Sequence, residues 1–146
     1  MIAAKINGDV ISQRTLWVRR MVDSIRALPL QNKTRFLQNP NNVAAAESYL
    51  RRALEALFDL GRYILAKKFA YPTAEYKEIA EGLLEKKIIK KKERDLLRRM
   101  AGYRNRMVHF YHEITPEELY DICRHQLDDI SNLLDAILKR MNQNRK

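Results

Sequence analysis

Apolar residues recur every three or four positions along most of the chain, and this helical period is the feature that most constrains the fold. The broadest stretch runs from Val43 to Phe69 and forms an apolar face wide enough for the centre of a helical bundle. Its apolar positions are Tyr49, Leu50, Ala53, Leu54, Leu57, Phe58, Gly61, Ile64 and Leu65. We therefore expect one long central helix.

Similar patterns and helix-capping signals predict the other elements. The predicted helices are Asp9–Leu28, Val43–Phe69, a short helix from an N-cap at Thr73 through Leu84, Lys91–His112, and a last helix from Thr115-Pro116-Glu117-Glu118 to Met141. The asparagine-rich stretch Pro29–Asn42 is predicted to be a loop. With only 4 Gly and 4 Pro, we predict an all-α, antiparallel bundle of four to five helices. One domain spans residues 1–146, with its core at about 9–141.

The chain is strongly basic, with 28 Lys and Arg against 18 Asp and Glu and a formal charge of +10. This charge favours an anionic partner, either a nucleic acid or a membrane surface. The N-terminal stretch has no apolar run of signal-peptide length, and no segment approaches the roughly 20 apolar residues that span a bilayer. We expect a soluble, cytoplasmic protein without a membrane partner.

Cysteine and histidine are too sparse for a recognisable metal motif. Cys123 is the only cysteine, and it lies in an apolar stripe with Ile122 and Leu127, so we expect it to fill the core. No Cys/His cluster has zinc-ligand spacing. We therefore predict no bound metal and no cofactor.

Two of the three histidines, His109 and His112, fall in a dense polar stretch near the end of the fourth predicted helix. On a continuous helix, these histidines and Asn105 would lie within about 60° of one another. Arg104 and Tyr111, seven residues apart, would lie almost over each other. One surface would then present imidazole, amide, guanidinium and phenol groups.

These groups suit cleavage of RNA by its own 2′-hydroxyl group. His109 would move protons near neutral pH, and Arg104 would stabilise the charge that develops on phosphorus. A structural interpretation also fits, because arginine-rich helix ends beside a histidine often form solvated faces. His112 fits either interpretation, and His125 is expected to be an ordinary surface or bundle residue.

A basic run leads into the same helix. Lys90, Lys91 and Lys92, followed by Arg94 and Arg98, would track a phosphate backbone without reading its sequence. A solvated helix start explains the run equally well. The aromatic residues recur at helical spacing within apolar stripes, which favours core packing over base stacking; they are Tyr49, Phe58, Tyr63, Phe69 and Tyr76.

The segment from Arg104 to Tyr111 resembles the Arg-X4-His-X-Tyr signature of HepT-like HEPN toxins. Asn105 directly after the arginine and the Thr115-Pro116 start of a final helix strengthen the resemblance, which covers roughly Asp9 to Met141. The features of the second helix, Ala46 to Ala66, and of the Tyr71-Pro72 turn are similar too. Phe110 departs from the pattern, since many relatives have a small residue there.

The resemblance implies a helical homodimer in which both copies of Arg104 and His109 contribute to one cleft. It implies metal-independent RNA cleavage, and a minimal nucleotidyltransferase antitoxin as partner, which transfers AMP to Tyr111. Asp59 resembles a polar residue of the family's second helix that supports the site.

The sequence thus predicts an endoribonuclease toxin of a toxin-antitoxin module. Arg104 would clamp the scissile phosphate, His109 act as general acid or base, and Asn105 orient the site. The main alternative is a non-catalytic HEPN subunit that binds nucleotide or substrate for a nucleotidyltransferase. A basic helical nucleic-acid-binding protein is a third possibility.

Overall fold

The computed structural model describes residues 6–109 and 114–143, whose regular secondary structure consists of helices joined by turns and short loops, without strands. Within them the elements are α1 (Gly8–Arg26), α2 (Lys33–Gln38), α3 (Pro40–Phe69), α4 (Tyr76–Glu85), α5 (Lys91–Val108), α6 (Pro116–His125) and α7 (Leu127–Gln143). The all-α prediction is confirmed. None of the described helices is long and apolar enough to cross a membrane.

The 30-residue helix α3 is the centre of the bundle, and all the other described helices pack against it. Leu50, Leu54 and Phe58 on this helix are fully buried. Each such side chain contributes about 1.5–3 kcal/mol through its removal from water. The predicted central helix is confirmed, and it begins earlier than expected because Asn39 caps it and Pro40 occupies its first turn.

For three pairs of neighbouring helices, polar contacts at two positions along the helix axes show that the helices run antiparallel. The contacts are Asn7–Tyr63 (2.8 Å) and Arg14–Asp59 (3.0 Å) for α1 and α3, Arg19–Asp135 (2.8 Å) and Arg26–Asp128 (2.9 Å) for α1 and α7, and Glu81–Arg94 (2.8 Å) and Tyr76–Arg104 (4.7 Å, ring centroid to Cζ) for α4 and α5. In each pair, residue numbers rise along one helix and fall along the other. The predicted antiparallel packing is therefore confirmed.

Two glycines allow α3 and α4 to approach closely. A Cβ atom on Gly61 would lie 2.9 Å from Ile79 Cγ2, and one on Gly82 would lie 2.9 Å from Leu65 Cδ1. Both distances are shorter than packed carbon atoms tolerate. This close packing brings the first residue of α4, Tyr76, onto α3.

Two predicted elements differ in the structure. The expected loop Pro29–Asn42 contains α2, whose N-terminus is capped by the Asn32 side chain accepting from the Arg35 N–H at 3.0 Å. Asn32 and Asn39 cap helices here, whereas the asparagines of this stretch were expected to be loop residues. The expected last helix is divided at Gln126 into α6 and α7.

Two helix ends also differ. The short helix α4 starts at Tyr76, with Glu75 as N-cap, so Thr73 is not its cap. Helix α5 ends at Val108, and His109 is its C-cap with extended backbone (φ −104°, ψ 100°). His109 therefore does not continue the helical face of Asn105.

Other local predictions are confirmed. Thr115 Oγ1 accepts from the Glu118 N–H at 3.1 Å, and Pro116 is the first residue of α6. Cys123 is buried in the core, and this burial raises the pKa of its thiol to about 12.

Candidate functional site

Arg104 lies on α5 and is held by one residue from α3 and one from α4. Its Nη2 and Nε atoms lie 2.9 Å and 3.3 Å from Oε2 of Glu55. Its Cζ atom lies 4.7 Å from the centroid of the Tyr76 ring, within the range of cation–π attraction. Only 25% of the side chain is exposed, so these contacts are partly shielded from water and define the direction of the guanidinium group.

Both partners of Arg104 are themselves fixed. Oε1 of Glu55 accepts from Arg51 Nη1 at 3.0 Å, one turn earlier on α3. The Tyr76 ring stacks on Phe58 with 4.5 Å between centroids and 2° between planes. Partial burial raises the pKa of the Tyr76 phenol above its ordinary value.

Arg104, Asn105 and His109 line one open cleft of about 560 Å³. Arg62 and Lys77 line the same cleft and leave it with a net positive charge against the single carboxylate of Glu75. His109 is exposed at the end of α5, where its backbone N–H donates to the Asn105 carbonyl at 3.1 Å. Three predicted site residues therefore meet in one cationic cleft.

Asp59, the predicted supporting carboxylate, lies one turn beyond Glu55 on α3. Its contacts are with Arg14 at 3.0 Å and Arg62 at 3.8 Å. Glu55, which the sequence analysis did not single out, is the carboxylate that contacts Arg104. In the sequence, Glu55 stands four residues after Arg51 and four before Asp59, which places all three on one face of the helix. This spacing does not indicate that the face packs against α5 and Arg104.

The basic run at the start of α5 is divided by burial. Lys90, Lys91 and Lys92 are exposed, and Arg98 is half-exposed, with its Nη1 atom 3.6 Å from Oε1 of Glu81. Arg94 differs, because only 16% of its side chain is exposed and it contacts Glu81 at 2.8 Å and Asp95 at 2.7 Å. Its charge is used within the protein to hold α4 against α5.

Some predicted residues lie outside the part of the chain that the structure describes: Phe110, Tyr111 and His112. Within the described ranges, no group of three or more His, Cys, Asp and Glu side chains is arranged to hold a metal ion.

The fold and the cleft define a class, an all-α bundle with an arginine and a histidine near the end of one helix. The family model described as ribonuclease HepT-like matches residues 19–137, which is most of the chain. The chain belongs to the HepT-like family.

Solved structures share this fold. A tri-AMPylated HEPN toxin from Shewanella oneidensis, in complex with MNT antitoxin, has a TM-score of 0.82 and 22% identity, covering 92% of this chain and 99% of that one. A toxin-antitoxin structure with AMP-PNP gives 0.80 and 22%, covering 90% and 99%.

YutE from Bacillus subtilis, a cytosolic protein of unknown function, has a TM-score of 0.80 at 16% identity, covering 96% of this chain and 94% of that one. At such identities the likeness shows the fold. No curated protein sequence matches the chain.

Proposed function

We propose that this protein is an endoribonuclease toxin of a toxin-antitoxin module, and that it cleaves RNA through Arg104 and His109 without a metal ion. The observation that carries the proposal is the meeting of Arg104, Asn105 and His109 in one cationic cleft. Membership of a family described as ribonucleases supports the same reaction class.

Arg104 has two edges that can form paired hydrogen bonds, and one of them is occupied. Glu55 takes the edge formed by Nε and Nη2. The edge formed by Nη1 and Nη2 is the one through which a phosphate would bind. Asn105 Oδ1 lies 3.5 Å from Nη1, so it would sit beside the bound phosphate. In this arrangement Glu55 orients Arg104 and leaves its outer edge for the substrate.

The proposed reaction is an intramolecular transfer at phosphorus. The 2′-oxygen loses its proton and attacks the adjacent phosphorus, the bond from phosphorus to the 5′-oxygen breaks, and that oxygen gains a proton. Products are a 2′,3′-cyclic phosphate and a 5′-hydroxyl. Neutral His109 would accept the first proton, or its protonated form would donate the second.

One imidazole cannot serve as both base and acid in the same step. A two-fold homodimer, which the family resemblance implies, would bring a second His109 to the cleft and supply the missing role. We therefore include a C2 dimer in the proposal. Light scattering that finds a monomer with full RNase activity would contradict this part.

We also propose that the exposed cations at the start of α5 bind the RNA backbone outside the cleft. These are Lys90, Lys91, Lys92 and Arg98. Each such contact adds a salt-dependent increment to affinity without base specificity. Arg94 is predicted to contribute to α4–α5 packing instead, given its own low exposure and its contacts with Glu81 and Asp95.

The activity is tested with purified protein and labelled single-stranded RNA in the presence of a chelator. We expect cleavage with cyclic-phosphate ends, and a loss of about 10²- to 10⁴-fold in His109→Ala with an unchanged helical circular dichroism spectrum. His125→Ala, which changes an exposed histidine at the end of α6, is the matched control and should keep full activity. Full activity in His109→Ala would overturn the catalytic assignment. RNA binding without cleavage would favour the non-catalytic binding subunit.

Control of the toxin is proposed to act through Tyr111. A nucleotidyltransferase antitoxin would transfer AMP from ATP to this tyrosine. The phenol oxygen attacks the α-phosphorus of ATP, the phenol proton is lost and pyrophosphate leaves. AMP so close to His109 in sequence would add bulk and negative charge where the RNA phosphate must bind.

Incubation with a cognate minimal nucleotidyltransferase, ATP and Mg²⁺ should give AMP adducts by intact-mass measurement, together with loss of RNase activity. Tyr111→Phe should give no adducts. Tyr103→Phe is the control, because the Tyr103 hydroxyl donates to Gln126 Oε1 at 3.1 Å within the bundle. Equal labelling of wild type and Tyr111→Phe would place the acceptor elsewhere.

A further inference from the structure

A second open cavity, of about 520 Å³, adjoins the cleft between α1 and α3. Trp17 and Arg14 line it from α1, and Arg52 and Asp59 line it from α3. Tyr76 lines both cavities. Glu55 lines the second cavity and contacts Arg104 of the first. A chain that crosses Arg104 can therefore continue into this second space.

Trp17 is the only tryptophan of the chain, and 38% of it is exposed. An indole at the wall of an open, charged cavity offers a flat face on which a nucleobase can stack. Stacking of this kind is worth about 1–3 kcal/mol per base. It requires an unpaired base, because bases within a duplex already stack on their neighbours.

The polar lining of the cavity suits the rest of a nucleotide. Arg52 provides a cation for a phosphate, while Gln13 and the half-exposed carboxylate of Asp59 can accept hydrogen bonds from base N–H groups. Asp59 also pairs with Arg14 of the same lining, at 3.0 Å, but a binding site for phosphate alone would have no use for Trp17. This mixture of aromatic, cationic and acceptor groups matches a nucleotide.

We propose that this cavity is a subsite for an unpaired nucleotide of the RNA, next to the scissile phosphate, with its base stacked on Trp17. The inference rests on the proposed RNase function and adds a contact that determines substrate affinity. The rival occupant is a second copy of this chain, because Leu16, beside Trp17, is 63% exposed. The lining itself balances Arg14 and Arg52 against Glu55 and Asp59, so it is the overall charge of +10 and the adjoining cationic cleft that favour the nucleic acid.

The single tryptophan makes a direct experiment possible. The probe is a 2′-O-methyl single-stranded RNA oligonucleotide, which lacks the nucleophile and is not cleaved. We expect it to quench Trp17 fluorescence on binding, and the same strand in a duplex to leave the fluorescence unchanged. Anisotropy of a labelled strand reports binding separately. Binding without quenching would overturn the subsite and leave the RNase proposal intact. Quenching without cleavage of unmodified RNA would overturn the RNase proposal and leave a nucleotide-binding site at Trp17.

Variants then separate the nucleotide from a protein partner. Trp17→Ala should raise KM for single-stranded RNA about tenfold with little change in kcat, and Trp17→Phe should restore part of the affinity. Leu16→Ala is the matched control, since Leu16 is exposed but does not line the cavity; its KM should be unchanged. If Trp17→Ala and Leu16→Ala both reduce the mass measured by light scattering and lower kcat/KM to the same extent, the surface binds a second copy and the subsite is wrong.

Discussion

Two glutamates, one on α3 and one on α4, each hold an arginine of α5. Glu55 Oε2 lies 2.9 Å from Arg104 Nη2, and Glu81 Oε2 lies 2.8 Å from Arg94 Nη1. Each carboxylate also contacts a second arginine, at 3.0 Å and 3.6 Å respectively. In local chemistry the two clusters are nearly the same.

Their surroundings differ. Arg104 lies over the Tyr76 ring and lines an open cleft with His109. Arg94 is the more enclosed of the two, and Asp95 also contacts its Nε at 2.7 Å. An arginine held by a carboxylate is therefore a candidate for phosphate binding only where its other edge faces open space beside a proton-transfer group. Elsewhere the same pair serves helix packing.

The largest expected difference between the two clusters is in catalysis. Arg104→Ala should lower kcat/KM for RNA by about 10²- to 10³-fold, because it removes donors to the transition state. Arg94→Ala should change kcat/KM less than threefold but lower the free energy of unfolding. Initial rates with single-stranded RNA and urea titrations measure both. Equal rate losses in the two variants would show that charge, rather than position in the cleft, decides activity.

A smaller effect, a loss of about tenfold in kcat, is expected for Glu55, which contacts Arg104 and would not contact the substrate itself. Glu55→Gln keeps the shape of the side chain and removes the charge that holds Arg104, so kcat should fall about tenfold while KM changes little. Glu81→Gln makes the same change in the packing cluster and should leave kcat unaltered. Glu55→Asp should recover less than the wild-type rate, since the shorter side chain reaches Arg104 less well. A kcat unchanged in Glu55→Gln would remove the positioning role.

The sequence predicted the helical fold well because its signal is local. The period of the apolar residues located α3 and the caps located the start of α6. It failed at α2, where Asn32 and Asn39 serve as caps rather than loop residues. It also failed at the end of α5, since nothing in the polar stretch around His109 marks where the helix stops.

The residues of the candidate site also fall into those that a local sequence signal predicts and those that depend on helix packing. Arg104, Asn105 and His109 were predictable because one short motif contains all three. Glu55 and Tyr76 were not, because their contact with Arg104 depends on how α3, α4 and α5 pack. The carboxylate contacts of Arg94 and Arg104 do not show in the sequence, and the structure distinguishes the two arginines because Arg104 lines the cleft with His109 whereas Arg94 is more enclosed.

A third contact between an arginine of α5 and a glutamate gives the smallest predicted effect. Arg106 Nη1 and Nη2 each lie 2.7 Å from an oxygen of Glu118, joining the end of α5 to the start of α6. Hydrogen bonds from Arg106 lower the pKa of Glu118 and raise that of Arg106. Both side chains are more than a third exposed, so solvent screening limits the contribution to about 0.5 kcal/mol.

A lowered pKa in the folded state means that this contribution is fully present above the ordinary glutamate pKa of about 4.3 and is lost as the pH falls through the folded value. Glu118→Gln should therefore lower the free energy of unfolding by about 0.5 kcal/mol at neutral pH. The difference from wild type should shrink towards zero in strong acid. Urea titrations at neutral and acid pH measure this, with Glu117→Gln as control, since Glu117 is an exposed carboxylate in the same first turn of α6. A difference that is independent of pH would show that Glu118 acts through its shape or its place in the helix, and that the ion pair adds nothing at this exposed position.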